Sequence, residues 1–211
     1  MEDQKDDFNA IASTVIEKLQ KRQMEGYYCP TREEALEKVL EIIKPGSSIG
    51  WGGSKTLEEI GLIDIIRKRN YRLYDRAVGN NDEERMEIYS NILKADYFLM
   101  SSNAITLEGE LINIDGRSDR IAFLCFGPKN VIVIAGMNKI TSDVESGIQR
   151  ARETAAPRNG QKLKRNIPCA VTGKCSDCYS PESICSQMLI TRRSSSKGRI
   201  KIILVGEELG F

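Results

Sequence analysis

The sequence predicts an α/β fold, a mainly parallel β-sheet flanked by helices, and three observations carry that prediction. Short apolar runs near residues 48–51, 71–74, 96–101 and 131–135 alternate with stretches whose apolar residues recur at helical spacing. Such alternation is the signature of βαβ units. The run Val131-Ile-Val-Ile-Ala135 is apolar on both faces, as a strand in the middle of a covered sheet must be. Finally, Gly50, Gly52 and Gly53 fall within four residues at a strand-to-helix junction, where the missing Cβ atoms let a backbone turn sharply and approach a ligand.

Taken in order, Phe8, Ile11, Ala12, Val15, Ile16 and Leu19 recur at helical spacing, so an amphipathic helix runs from about Asp6 to Met24. Gly26–Pro30 forms a short strand. Thr31-Arg-Glu-Glu34 opens the next helix as a capping box, with Ala35, Leu36, Val39, Leu40 and Ile43 inward, and Pro45-Gly46 stops it. These pieces make residues 1–47 an N-terminal helical region. After the glycine turn, with Thr56 and Glu59 as a capping box, helix extends to Arg69 with a break near Gly61. Tyr71–Tyr74 is a strand, Asn81 and Asp82 cap another helix, and Asp96–Ser101 is a strand. From Asn103 to Gly136 the apolar runs Leu111–Ile114, Ile121–Phe126 and Val131–Ala135 are separated by turn signals and read as strands, with Cys125 a core residue. Ser142-Asp-Val-Glu145 caps a helix that Pro157 ends. Met188–Ile190 and Ile200–Val205 are strands, the last returning to the main sheet, which leaves residues 158–187 as a cysteine-rich insertion within a single domain of 1–211.

Composition excludes several function classes. With 211 residues and 40% apolar content the chain can bury one substantial core. It has no histidine, which removes serine triads, imidazole acid–base chemistry and histidine metal ligands, and leaves carboxylates, Lys, Tyr or Cys to carry any reaction. Net charge is +1, but residues 150–201 hold twelve Lys/Arg against three Asp/Glu, so positive charge is concentrated late in the chain. Few aromatics and no recognised module argue against a nucleic-acid partner. The acidic N-terminus lacks a signal peptide's apolar core and no apolar run is long enough to span a bilayer, so the expectation is a cytoplasmic protein without a membrane partner.

Two places carry candidate chemistry. Gly50, Gly52, Gly53, Ser54, Lys55 and Thr56 form a turn suited to an anionic ligand, although the spacing matches neither a dinucleotide fingerprint nor a P-loop. Lys55 and Lys139 are candidate anion contacts or a covalent amine. Further on, Cys169, Cys175, Cys178 and Cys185 stand in a C-x5-C-x2-C-x6-C array. Four thiolates so spaced suit zinc or an iron–sulfur cluster, and spacing does not separate the two. Cytosolic disulfides are the less natural use of the same cysteines. Cys29, next to Pro30, is structural.

Ser48–Gly61, Asn103-Ala-Ile, Gly109-Glu-Leu-Ile-Asn-Ile-Asp-Gly116, Ala155-Ala-Pro-Arg-Asn159 and Pro168–Cys185 together resemble the lactate-utilisation (LUD) domain family, over nearly the whole chain. The central stretch is also similar to the wider superfamily of ribose-phosphate isomerases, glucosamine-phosphate deaminases and CoA transferases. That likeness implies a Rossmann-like sheet with its ligand near the glycine turn. The isomerases carry an acidic residue where this chain has Ser101-Ser102-Asn103, and Asn103 cannot act as a general base. It leaves Asn103 as a ligand contact and Glu108, Asp115 and Asp119 as carboxylates near the expected cleft. Because other lactate-utilisation subunits are iron–sulfur proteins, the resemblance favours a cluster at the cysteines, with zinc as the alternative.

Three functions compete. The chain is a component of L-lactate oxidation to pyruvate, working with iron–sulfur subunits and binding an anionic small molecule. Alternatively it is a stand-alone enzyme or binding protein for a phosphorylated or CoA-linked metabolite, with a structural metal site. The third is a non-enzymatic regulatory or scaffold module. A homo-oligomer is open in each case.

Overall fold

The computed structural model describes residues 2–211, with side chains from Asp7 onward; Met1, with which the acidic start of the chain begins, lies outside the described residues. The order is α1 (Glu2–Lys21), β1 (Glu25–Cys29), α2 (Arg32–Ile42), β2 (Ser48–Trp51), α3 (Lys55–Glu59), α4 (Leu62–Arg67), β3 (Arg72–Tyr74), α5 (Asp82–Leu93), β4 (Tyr97–Met100), β5 (Ala104–Thr106), β6 (Leu111–Asp115), α6 (Asp119–Cys125), β7 (Asn130–Gly136), β8 (Ile140–Thr141), α7 (Val144–Arg150), α8 (Ala156–Lys162), α9 (Pro168–Thr172), β9 (Gln187–Thr191) and β10 (Ile200–Val205). Six strands form a parallel sheet in the order β1-β10-β7-β4-β2-β3. A smaller sheet, β8-β5-β6-β9, is mixed.

Period-two alternation in the central strands divides the core. Val131, Val133 and Ala135 of β7 and Ile202 and Leu204 of β10 meet α1 residues Ala12, Val15 and Leu19, together with Ile92 of α5 and Phe123 of α6. Ile132, Ile134, Ile203 and Val205 face the other way, onto Ala35 and Val39 of α2, Leu57 of α3 and Leu62 and Ile66 of α4. Both faces are therefore covered, as a parallel sheet requires. Each completely buried Leu or Ile contributes about 1.5–3 kcal/mol. β10 lies between β1 and β7, so Ile200–Val205 returns to the main sheet as the sequence implies.

Four local expectations change, the simplest being that Asp143, not Ser142, caps α7, accepting the Ser146 N–H at 2.8 Å. Ile121–Phe126 lies in α6 for most of its length rather than forming a strand. Its apolar run is too short for periodicity to distinguish the two, and the amphipathic outcome shows in Phe123 and Leu124 buried but Cys125 and Phe126 exposed. Cys125 is thus a surface thiol. Ser54, not Thr56, caps α3, accepting the Leu57 N–H at 3.4 Å, and Thr56 is turned inward. Pro157 starts α8 instead of ending a helix. Its missing N–H is absorbed by a π-helical turn at Ala151–Ala155, where the Ala156 N–H reaches back to the Ala151 carbonyl. The break near Gly61 is present: Gly61 has φ +69° and separates α3 from α4.

The amino ends of β2 and β4 are tied by Asp96. Its carboxylate accepts from the Ser48 N–H (2.9 Å), the Ser48 hydroxyl (2.7 Å) and Lys129 Nζ (2.8 Å). The Lys129 bond and then the two Ser48 donors hold the Asp96 carboxyl well below the usual carboxylate range. In the unfolded chain the group binds its proton at higher pH, about 4. Its stabilisation is therefore complete above that pH and lost as the pH falls below it. Asp96→Asn should lower stability at neutral pH by about 1–2 kcal/mol and flatten the acid limb of the stability profile, as read by urea unfolding across the acidic range.

Candidate functional site: a cationic cleft at the ends of β2 and β4

Strand order dictates where a ligand can enter. From β2 the chain crosses to β3 through α3 and α4 on one face of the sheet, and from β4 it proceeds to β7 through α6 on the other. Adjacent strands whose connections leave on opposite faces open a crevice at their carboxyl ends. A cleft of about 500 Å³ lies there, lined by Trp51, Gly53 and Lys55 from the first turn and Ser101, Ser102 and Asn103 from the second. The ends of β6 and β7 and the start of α8 complete the wall.

Arg120 organises the wall. Its guanidinium is partly buried and donates to Asp115 Oδ2 (3.2 Å), the Ser101 carbonyl (3.2 Å), Asn103 Oδ1 (3.1 Å) and the Ile114 carbonyl (2.6 Å). Burial pushes this guanidinium down and the Asp115 charge opposes it. A Cβ on Gly52 would sit 3.3 Å from the Arg120 methylenes, so glycine there lets the side chain lie against the turn. Asn103 also accepts the Ile114 N–H at 2.8 Å. It lines the cleft as a clamp between β5, β6 and α6. The rim carries an Arg76–Asp119 ion pair. Burial pushes the Asp119 carboxyl up, but the Arg76 charge, the Arg120 N–H and Tyr89 outweigh it and hold the group ionised below its ordinary value.

Lys139 follows β7 and is only 3% exposed. Its Nζ lies 2.9 Å from both Thr56 Oγ1 and Ser101 Oγ. Burial, then the positive charges of Arg150 and Arg120, lower its pKa to about 7, with Glu59 pulling the other way. An amine with that value exchanges a proton at neutral pH, which ordinary lysines do not.

Of the residues singled out from sequence, Gly53, Ser54, Lys55, Thr56, Asn103, Asp119 and Lys139 line the cleft. Gly52 lies in the same turn, behind Arg120. Gly50 does not reach it: a Cβ there would be 2.6 Å from Ile92, so its role is close packing under the sheet. Glu108 is also elsewhere, paired with Lys18 of α1 at 2.7 Å on the surface. Arg76 and Arg120 carry no motif in the sequence, and Ser101 entered only as part of Ser101-Ser102-Asn103. Arg120 ends the polar segment Asp115-Gly-Arg-Ser-Asp-Arg120, just before the apolar run, where a solvated charge is the ordinary reading.

The cysteine segment borders the same cleft. Ile184, beside Cys185, lines it, and its Cα would be 2.9 Å from a Cβ on Gly116. All four cysteines are free thiols. Partial desolvation and then the neighbouring Cys169, Cys175 and Cys178 raise the Cys185 thiol to about 11, and Cys169 is raised by the same kinds of cause. Arg152 donates to Cys175 Sγ at 3.6 Å and pairs with Asp177. The donor chemistry suits a soft metal. Among the described residues, however, no three Cys, Asp or Glu side chains are grouped closely enough to hold a metal ion. Also among them, no helix is long and apolar enough to cross a membrane.

Burying an ammonium against hydroxyls alone costs stability. Because the folded pKa of Lys139 is depressed, the unfolded state binds more protons from about pH 7 up to the ordinary lysine range, and stability rises with pH across that window. Lys139→Met should remove that rise and stabilise the protein by about 1–3 kcal/mol at pH 7. Thr56 and Ser101 keep carbonyl acceptors at Leu209 and Ser102. Chemical denaturation at neutral and alkaline pH measures both effects.

Comparison with known proteins agrees with this architecture. The LUD domain model matches residues 12–205. No curated protein matches the chain. Among solved structures, a DUF162 family protein from Deinococcus radiodurans superposes with a TM-score of 0.55 at 11% identity, covering 94% of this chain and 98% of that one; this likeness concerns the fold alone. Ribose 5-phosphate isomerases from Plasmodium falciparum (TM-score 0.35, 15% identity, 53% of this chain and 52% of that) and Methanocaldococcus jannaschii (0.35, 13%, 54% and 55%) overlap about half of it. Those overlaps carry no weight for activity. With an α/β fold of parallel strands and a family match from Ala12 to Val205, the chain belongs to the LUD (lactate-utilisation) domain family.

Proposed function

We propose that the protein is a component of L-lactate oxidation to pyruvate that holds a small carboxylate anion in the cleft and works with iron–sulfur partner subunits. The observation that carries this reading is the charge of the cleft. Eight Lys/Arg line it against three Asp, in a chain whose net charge is only +1. Such an excess inside a concave, partly desolvated wall attracts anions. Arg120 is saturated by its own partners, so it shapes the site. Lys55, whose nearest carboxylate is Glu59 at 3.9 Å, is the freer cation for a ligand. Lys139 Nζ is the atom that takes or gives a proton at neutral pH.

Cys169, Cys175, Cys178 and Cys185 would hold an iron–sulfur cluster, with zinc as the alternative. A bound cluster supplies one-electron transfer. Support comes from the four-thiol donor set, the effect of the neighbouring cysteines on Cys185 and the Arg152 guanidinium beside Cys175, which offsets thiolate charge. The second reading, a binding protein or enzyme for a phosphorylated or CoA-linked metabolite, is favoured by one observation: the cleft, at about 500 Å³, is within the size range of sites for much larger ligands than a three-carbon acid.

Titration with pyruvate, oxalate and inorganic phosphate separates the two readings. A Cβ on Gly53 would lie 3.1 Å from Arg76 Nη2, so Gly53→Val should displace that guanidinium and weaken anion binding at least tenfold, or about 1.4 kcal/mol. Binding unchanged in this variant would count against the cleft as the ligand site. Anaerobically purified protein should contain iron and sulfide and lose both in Cys178→Ser. A colourless preparation whose metal is zinc alone removes the electron-transfer version.

A further inference from the structure

Lys139 has a setting that anion binding alone does not require. Among the described residues no carboxylate lies within ion-pair distance of its Nζ, and the two groups that do touch it, Thr56 Oγ1 and Ser101 Oγ, are neutral. The charged groups acting on it from neighbouring elements are Glu59 of α3, Arg120 of α6 and Arg150 of α7, two of the three cationic. A lysine that serves only as an anion contact stays charged, and a site for that purpose keeps it solvated or ion-paired. Desolvated beside cations, a lysine becomes a neutral amine with a free lone pair, the form that attacks carbonyl groups.

The nitrogen is also held in place. Leu209 N–H donates to Asn138 Oδ1 at 3.1 Å, and Arg150 Nε donates to the Asn138 carbonyl at 2.9 Å, fixing the turn that carries Lys139. Over it lies Gly210, where a Cβ would be 2.5 Å from Thr56 Oγ1 and 3.2 Å from Lys139 Nζ. This segment leaves the cleft as the open side of the amine.

We propose that Lys139 is a carbonyl-reactive amine that condenses with a small 2-oxo acid bound in the cleft to form a protonated imine at Nζ. This rests on the reading of the cleft as a site for a small carboxylate. The Nζ lone pair forms a bond to the carbonyl carbon as the C–O π bond breaks, and a proton passes from nitrogen to oxygen to give a carbinolamine. The carbinolamine hydroxyl then takes up one proton and leaves as water while the nitrogen lone pair forms the C=N bond. Amine, carbonyl and one proton become iminium and water, with no change in oxidation state. Thr56 and Ser101 hydroxyls, in contact with Nζ, are placed to relay the proton, and the cations of the cleft hold the carboxylate.

Reductive trapping tests this directly. The intact chain is incubated with pyruvate from about pH 6 to about pH 9, reduced with cyanoborohydride, digested and mapped by mass spectrometry. An amine of pKa about 7 has roughly a thousandfold larger neutral fraction at pH 7 than an ordinary lysine. The carboxyethyl adduct should therefore concentrate on Lys139, at least about tenfold over exposed lysines such as Lys197, and rise through neutral pH. L-lactate, which has a hydroxyl in place of the ketone, should give no adduct. Lys139→Met, which removes the amine and which should leave the protein folded and more stable at neutral pH, should lose the adduct, with urea unfolding confirming the fold. Adducts spread over surface lysines with none at Lys139, in protein that binds oxalate, overturn the inference and leave the anion site standing. Failure of both oxalate and pyruvate to bind removes the site and the inference together.

Discussion

The divergence of the chain at β2 and β4 is the constraint on which the rest of this structure depends. Parallel strands all end on one edge of the sheet. Right-handed connections that leave to opposite faces cannot fill the space between them. Into that gap the fold turns the Gly52-Gly53 bend, the Ser101–Asn103 bend and the end of β7. The core holds this arrangement rigidly, because the two faces of β7 and β10 are packed by different sets of helices. A shift of one strand would disturb both layers.

Polar groups withdrawn from water line this gap, and two of them have opposite charges beside them. Arg120 is satisfied by backbone carbonyls and by Asn103 and Asp115. Asp119 is satisfied by Arg76. Lys139 differs from both, since its partners are hydroxyls and its charged neighbours are mostly of its own sign. Local energetics there oppose stability, and functional sites are where such opposition is retained.

The cysteine segment and the cleft are neighbours. Ile184 lies against Gly116, and Gly116 follows Asp115, one of the groups that orient Arg120. A rearrangement that drew Cys185 toward Cys169, Cys175 and Cys178 would be felt at that wall. The π-helical turn at Ala151–Ala155 links the two regions from the other side: Arg152 reaches Cys175, and Ala155 lines the cleft.

The sequence by itself determined the layers and the alternation of strands and helices, because burial on one or both faces imposes periods of 3.6 and 2 that survive in the residue pattern. It also determined the glycine turn, whose residue types are demanded locally. Short apolar runs escaped it, as α6 illustrates, since six residues satisfy either period. Only the tertiary structure decided which polar residues share the cleft. Lys139 meets Thr56 across 83 positions and Ser101 across 38, and Glu108, adjacent in sequence to cleft-forming strands, is turned instead toward Lys18. Such meetings follow from strand order and crossover hand, which are properties of the whole sheet and leave no periodic trace in the residues they bring together.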